Sequence, residues 1–299
     1  YQIPLLVDEA HGAHFAFHSD LPRPALEAGA DLVVQSTHKL LSAFTQASML
    51  HFQGSRIEPT RISKVLQMLQ SSSPSNLLLA SLDAARQQMV VEGSHLLSQT
   101  LQLAHRARVK IQRLPRLSVL QPAQAITAGF CTLDPTRLTV DVSALGLDGY
   151  TADDLLTQRC GVIAELPTLR HLTFIVSIGN TQEDISQLID AFEQLTQMNA
   201  APGSVQPLIY EIDLPCLEVP ERSPREAFFA PQDSVPMHES VGRISAETIC
   251  SYPPGIPLIL PGEKITEEAI VQLKRIQVAG GLITGCDDFS LTQLKVLRD

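Results

Sequence analysis

The chain has 299 residues, an ordinary globular composition and a formal net charge of -10, enough length for two or three domains with a sizeable core. The acidic balance argues against general nucleic-acid binding and suits attraction of cationic small molecules. Cys131, Cys160, Cys216, Cys250 and Cys286 form no C-x-x-C pair, so neither a zinc knuckle nor a disulfide framework is indicated, and reduced thiols in a cytoplasmic protein are expected.

Ile3-Pro4-Leu5-Leu6-Val7 reads as a buried strand already under way at the first residue, so a further N-terminal part is expected before Tyr1. This strand runs over 3–8. Arg23 to Gly29 reads as a short helical turn stopped by glycine. Leu32-Val33-Val34 and Ala47 to Phe52 read as two more strands, and short apolar strands alternating with helical patches indicate an α/β sheet. Ser75 to Arg113 reads as one long helix, with Leu78, Leu82, Ala85, Met89, Leu96 and Leu103 at helical spacing. From about Pro115 to Asn199 the pattern is a small α+β layer. Its strands are Leu138 to Val142, Val162 to Leu166 and Leu172 to Ser177. Its first helix starts at Thr151-Ala152-Asp153-Asp154, and a second follows Asn180 with Ile185, Leu188, Ile189, Phe192 and Leu195 on one face. Ala200 to Pro207 looks like a linker. A proline-rich third unit holds turns at Tyr252 to Pro257 and Pro261-Gly262-Glu263 around a short strand at Leu258-Ile259-Leu260. A helix from Thr266 to Ala279 is stopped by Gly280-Gly281.

Two features carry chemistry. Asp8 ends an apolar strand, where α/β sheets place ligand groups. Lys39 lies just past the second strand, in Val34-Gln35-Ser36-Thr37-His38-Lys39-Leu40-Leu41-Ser42-Ala43-Phe44-Thr45-Gln46-Ala47-Ser48. A strand-end carboxylate and a lysine flanked by a hydroxyl and an imidazole form the layout of a pyridoxal phosphate site. The carboxylate holds the pyridine nitrogen protonated, and the lysine carries the cofactor as a Schiff base. Ser36 and His38 supply groups able to hydrogen-bond a phosphate, and the small Ala10 leaves room for a flat ring. His11, His14 and His18 also admit a metal reading. Gly12, the two phenylalanines and the lack of an H-E-x-x-H motif stand against it, so no metal is expected. His11 is placed near the cofactor, His14 and His18 in structural or surface roles.

Val34-x-Ser36-x-His38-Lys39 followed by Ser42-Ala43-x-Thr45-Gln46-Ala47-Ser48 resembles the lysine signature of the Orn/Lys/Arg decarboxylases, which are fold-type-I pyridoxal phosphate enzymes. Asp8-Glu9-Ala10-His11-Gly12-Ala13-His14 resembles the family's cofactor strand end. Ser72-Ser73-Pro74-Ser75 with Ser81 to Arg86, Val241 to Glu247, Tyr252 to Pro257 and Pro261-Gly262-Glu263 resemble its later segments, and the likeness is to the shorter bacterial members. It implies an α/β fold: residues 1–114 as the remainder of a cofactor-binding large domain built on a mostly parallel sheet, 115–200 as a small α+β domain, and 201–299 as a C-terminal α+β domain. It implies Lys39 and His11 as catalytic residues, and Lys39, Asp8, Ala10, Ser36 and His38 as cofactor-binding. Ser73 is implied to reach the phosphate of a partner subunit, and Asn76 stands where the family has an aromatic residue. The family's phosphate loop and ring-stacking histidine are not in this sequence.

The activity so implied is decarboxylation of arginine, lysine or ornithine, with arginine preferred, in polyamine-precursor metabolism, by a cytoplasmic homodimer or higher homo-oligomer with no nucleic-acid or membrane partner. Glu247 and Glu263 are candidates for an acidic pocket around the substrate's distal cation. Two other readings stand beside this one. One is a different fold-type-I reaction such as aminotransfer, for which Arg137, Arg159 and Arg170 are the available carboxylate-binding residues. The other is an inactive truncated partner.

Overall fold

The computed structural model describes residues 2–124, 129–198, 220–252 and 255–298. The chain divides into two compact units. The first comprises Tyr1–Val109, Leu120–Leu138 and Ile175–Ser186; the second comprises Lys110–Val119, Thr139–Phe174 and Gln187–Asp299.

In the first unit, β1 (Leu6–Asp8), β2 (Leu32–Gln35) and β3 (Met49–Phe52) form a sheet in the order β1-β2-β3. β1 and β2 are parallel with Asp8 opposite Val34, and β2 and β3 are antiparallel with Gln35 opposite Met49, so this sheet is mixed. Val33 is fully buried at its centre. The expectation of a buried first strand does not hold among the described residues: Ile3 is 70 % and Leu6 62 % exposed, because β1 pairs on one side only. The turn at 25–29 closes on Gly29 at φ +102°, a left-handed conformation that glycine adopts without steric cost.

Two helices follow. α1 (Pro59–Leu69) has Pro at its start and no buried residue; nothing in the sequence reading anticipates it. α2 (Asn76–Gln112) is the long helix expected from the apolar spacing. Its Ala85, Met89 and Leu97 are buried with Ala13, Leu21 and Leu41, and Phe15 and Phe17 pack against them. Gly93 makes room for this packing, since a Cβ there would lie 3.0 Å from Met89 Cε and 3.3 Å from Phe17 Cβ. Truncating Met89 or Leu97 to Ala costs roughly 2–5 kcal/mol, the usual range for a filled core position.

The second unit contains β4 (Ser118–Val119), β5 (Arg137–Asp141), α3 (Gly149–Cys160), β6 (Leu166–Pro167), β7 (His171–Ile175) and α4 (Gln182–Met198), some of which begin or end in the first unit. The sheet order is β4-β5-β7-β6. Leu138 and Val140 of β5 are fully buried, as the alternation in sequence requires. Phe192 of α4 meets Phe174 of β7 edge-on at 5.7 Å. Two boundaries differ from expectation. Asp148, not Thr151, caps α3, with its carboxylate accepting from Thr151 N at 2.9 Å. The strand expected over Val162 to Leu166 is confined to β6 at the end of that run.

The remainder of this unit holds α5 (Pro224–Phe229), β8 (Gln232–Pro236), β9 (Ile249–Tyr252), β10 (Ile256–Ile259), α6 (Glu267–Val278), β11 (Leu282–Thr284) and β12 (Gln293–Leu297). β9 is flanked by β10 and β11, and β8 pairs antiparallel with β12. Ile270, Leu273 and Ile276 of α6 are buried with Ile249, Ile259, Ile283 and Val296. The expected linker at Ala200 to Pro207 and the turn prolines Pro253 and Pro254 lie outside the described residues. Among the described residues no helix is long and apolar enough to cross a membrane.

Candidate active site

The parallel pairing of β1 and β2 brings their C-terminal ends side by side, and this is where the candidate residues collect. Asp8 is exposed at the end of β1 and accepts a hydrogen bond from Ala10 N at 3.0 Å. The Ala10 carbonyl accepts from Ser36 N at 3.2 Å, which ties the two strand ends together. Residues Thr37–Lys39 form one 3₁₀ turn, in which Lys39 N donates to the Ser36 carbonyl at 3.0 Å. The neighbouring Glu9 acts as scaffold. Its carboxylate accepts from Ala25 N at 2.8 Å and from Gln35 Nε2 at 2.6 Å. Gly12 is required beneath it, because a Cβ there would lie 2.3 Å from Glu9 Cγ.

Lys39 projects its amine outward, and Nζ lies 3.2 Å from His11 Nε2. The other side of the His11 ring is held by Arg137, whose Nη2 lies 3.3 Å from Nδ1 and 3.2 Å from the His11 carbonyl oxygen. Burial, then the positive charges of Arg137 and Lys39, lower the His11 pKa to about 4 against the opposing pull of Asp134 and Asp8, so the ring is neutral at physiological pH. His38 belongs to the same 3₁₀ turn. Its Nδ1 is 2.8 Å from the Ala47 carbonyl, which also accepts from the His38 backbone N–H at 3.2 Å. A carbonyl only accepts, so Nδ1 carries the proton. Gln46 adopts φ +75° next to that carbonyl, a left-handed conformation costing about 1 kcal/mol in a residue with a Cβ.

Two residues absent from the sequence reading complete the surroundings. The Asp134 side chain is 9 % exposed, with Oδ2 3.3 Å from His14 Nε2 and 3.8 Å from Arg137 Nη2. Burial pushes its pKa up. Hydrogen bonding and charge from His14, the charge of Arg137 and the Thr136 hydroxyl outweigh burial and hold it below the usual carboxylate range. Arg108 of α2, 4 % exposed, donates to the carbonyls of Leu120 (2.6 Å), Pro135 (2.9 Å) and Arg137 (2.8 Å), and so pins the backbone that presents Arg137. The signal available for both in sequence is only residue type, since their partners are remote along the chain.

The structure therefore gathers Asp8, Ala10, His11, Ser36, His38 and Lys39 at adjoining strand ends, with Arg137 added. His14 is structural, as expected, and His18 is bonded to Ser98 Oγ at 3.0 Å. Other candidates have different occupations. Arg170 pairs with Asp141 at 2.7 Å. Ser73 is exposed, with its N–H on Ser71 Oγ at 3.2 Å. Glu247 is buried and gives both oxygens to backbone amides, of Asp287 at 2.7 Å and Lys295 at 2.8 Å, so it is a structural carboxylate. Glu263 accepts from Leu260 N at 2.8 Å within its turn. No group of three or more His, Cys, Asp or Glu among the described residues is arranged to hold a metal ion.

Residues 1–184 match the family model "Orn/Lys/Arg decarboxylase, major domain", and 212–283 match "Orn/Lys/Arg decarboxylase, C-terminal domain". The chain belongs to the Orn/Lys/Arg decarboxylase family. Among its relatives in that family, the arginine decarboxylase of Bacillus subtilis (strain 168) is 35 % identical over 299 residues, covering 100 % of this chain and 61 % of the relative. The arginine decarboxylase of Halalkalibacterium halodurans is 37 % identical over 303 residues, covering 99 % and 60 %. The crystal structure of the Francisella novicida lysine decarboxylase LdcF superposes with a TM-score of 0.77 at 26 % identity, over 98 % of this chain and 53 % of that one. The chain thus spans about three fifths of the length of these curated decarboxylases. The α/β fold expected from the motif resemblance is the fold it has.

Proposed function

We propose that the protein to which this chain belongs decarboxylates a basic amino acid, arginine for preference, with pyridoxal 5'-phosphate as cofactor. The observation that carries this reading is the Lys39 amine lying 3.2 Å from His11 at a strand end adjoining Asp8, in a chain of this family. The preference for arginine rests on the names of the Bacillus subtilis and Halalkalibacterium halodurans relatives. We also propose the three-domain division at 1–114, 115–200 and 201–299, a homo-oligomer of at least two subunits, and a cytoplasmic location.

The residues suit the cofactor chemically. Lys39 offers an exposed primary amine beside a neutral imidazole. Asp8 offers an exposed carboxylate for a pyridinium nitrogen. Ser36 and His38 offer a hydroxyl and an imidazole for a phosphate, and Ala10 leaves space for a ring face. When bound, pyridoxal phosphate supplies an electron sink that lets a bond at the substrate's α-carbon break. The chain's own residues do the rest. Asp8 keeps the ring nitrogen protonated, His11 orients the reacting end of the site, and Lys39 returns a proton to the α-carbon after carbon dioxide leaves.

The test uses the full-length protein. Borohydride reduction followed by peptide mass mapping is expected to find a pyridoxyl adduct on Lys39 and none in Lys39→Ala. Carbon dioxide release is expected from arginine above lysine and ornithine, and to be lost in Lys39→Ala. Activity that survives in Lys39→Ala, or a folded protein without the adduct, overturns the proposal.

A further inference from the structure

We infer that Arg137 is a positioning residue that fixes which nitrogen of His11 carries the proton, and thereby makes His11 the hydrogen-bond donor to the Lys39 amine. The argument is one of donor and acceptor inventory. A guanidinium has donors only, so the ring nitrogen facing it must present a lone pair. Arg137 Nη2 faces Nδ1 at 3.3 Å, and with its second hydrogen it reaches the carbonyl of the same residue at 3.2 Å, so ring and backbone are gripped together. The neutral ring then bears its proton on Nε2. That proton points at Lys39 Nζ, 3.2 Å away.

An N–H pointing at Nζ is satisfied by the lone pair of a free amine and opposed by an ammonium, which only donates. The free amine, the form that attacks a carbonyl, is the partner this N–H fits. Without Arg137 the ring is free to hold its proton on Nδ1 and accept from an ammonium at Nε2, which reverses the direction of the pair. The charged groups facing His11 are Asp8 from β1, Lys39 from the turn after β2, and Asp134 and Arg137 from the segment entering β5; their balance with burial keeps the ring neutral. Arg137 is itself seated by the bond from Arg108 to its carbonyl, 2.8 Å long.

That Lys39 is the reacting amine rests on the function proposed above; the His11 tautomer does not. The experiment is a long-range ¹H–¹⁵N correlation spectrum of histidine-labelled full-length protein without added cofactor at pH 7.5, with His11 assigned from the spectrum of His11→Gln. The wild type is expected in the Nε2–H form. Arg137→Met is expected to populate the Nδ1–H form, and Arg137→Gln, which keeps a donor without the charge, to restore Nε2–H. A second reading is the rate at which pyridoxal phosphate with cyanoborohydride labels Lys39. In Arg137→Met it is expected to fall about tenfold at pH 7, the scale of one hydrogen bond, and in Arg137→Gln to stay near the wild-type rate. An Nδ1–H tautomer in the wild type overturns the inference whether or not any variant folds, as does an unchanged tautomer in folded Arg137→Met. An Nε2–H tautomer with no labelling of Lys39 upholds the inference and sinks the function proposal instead.

Discussion

Arg108→Met removes the buried guanidinium that serves three carbonyls at once. Methionine fills much of the volume of the arginine stem and removes the cost of holding a charge inside; burial already lowers the Arg108 pKa from its ordinary value, against the pull of Asp134. What remains is three acceptors deprived of their donor, each worth about 1–3 kcal/mol when buried and unsatisfied. Taking the middle of that range for each and crediting about half of the sum to the relief of the buried charge gives a net loss of about 3 kcal/mol. For a unit of this size about 2–4 °C of melting temperature corresponds to each kcal/mol, so a drop of roughly 9 °C is expected by differential scanning calorimetry of the full-length protein. Arg108→Lys is expected to fall between wild type and Met, because one ammonium does not span three carbonyls. A drop under about 2 °C in Arg108→Met would refute the claim that this side chain carries the segment presenting Arg137.

Three further outcomes are expected. His11 titrates near 6.5 when unfolded and near 4 when folded, so between those values the unfolded chain holds more protons, and stability falls as pH is lowered through that window. Discounted for its partial exposure, the effect is about 1–2 kcal/mol, and chemical denaturation at pH 7 and pH 4.5 is expected to show a smaller difference in His11→Gln than in wild type. Gly149→Ala places a Cβ 2.1 Å from the Thr168 carbonyl oxygen and 2.8 Å from that of His171, and is expected to cost about 1–3 kcal/mol in urea unfolding. Glu247→Gln leaves one of two backbone amides without an acceptor and is expected to cost roughly 1–3 kcal/mol while KM for arginine stays unchanged; a raised KM would return Glu247 to the substrate pocket.

The sequence is most readable where local pattern and tertiary environment agree. α2 and α6 follow from apolar spacing, and Thr266, the residue read as the start of α6, accepts from Ala269 N. α1 carries Ile62, Val65, Leu66 and Leu69 at helical spacing, a stripe readable in sequence although none of its residues is buried. β8, Gln232–Pro236, is largely polar and exists through its pairing with β12, some sixty positions away in the register Gln232 opposite Leu297. Asp8, His11 and Lys39 are legible because strand ends and a short signature mark them. Arg137 and Asp134 are not, because nothing local distinguishes an arginine that grips a histidine from one on the surface.

The separation of 126 residues between His11 and Arg137 also has a temporal consequence. Asp8, His11 and Lys39 all precede Arg137 in the order of synthesis, and the contact between His11 and Lys39 closes a span of 28 residues. The grip of Arg137 closes a far longer loop and waits on the translation of α2 and the segment after it. On the ribosome the lysine therefore emerges well before the residue that sets its proton partner.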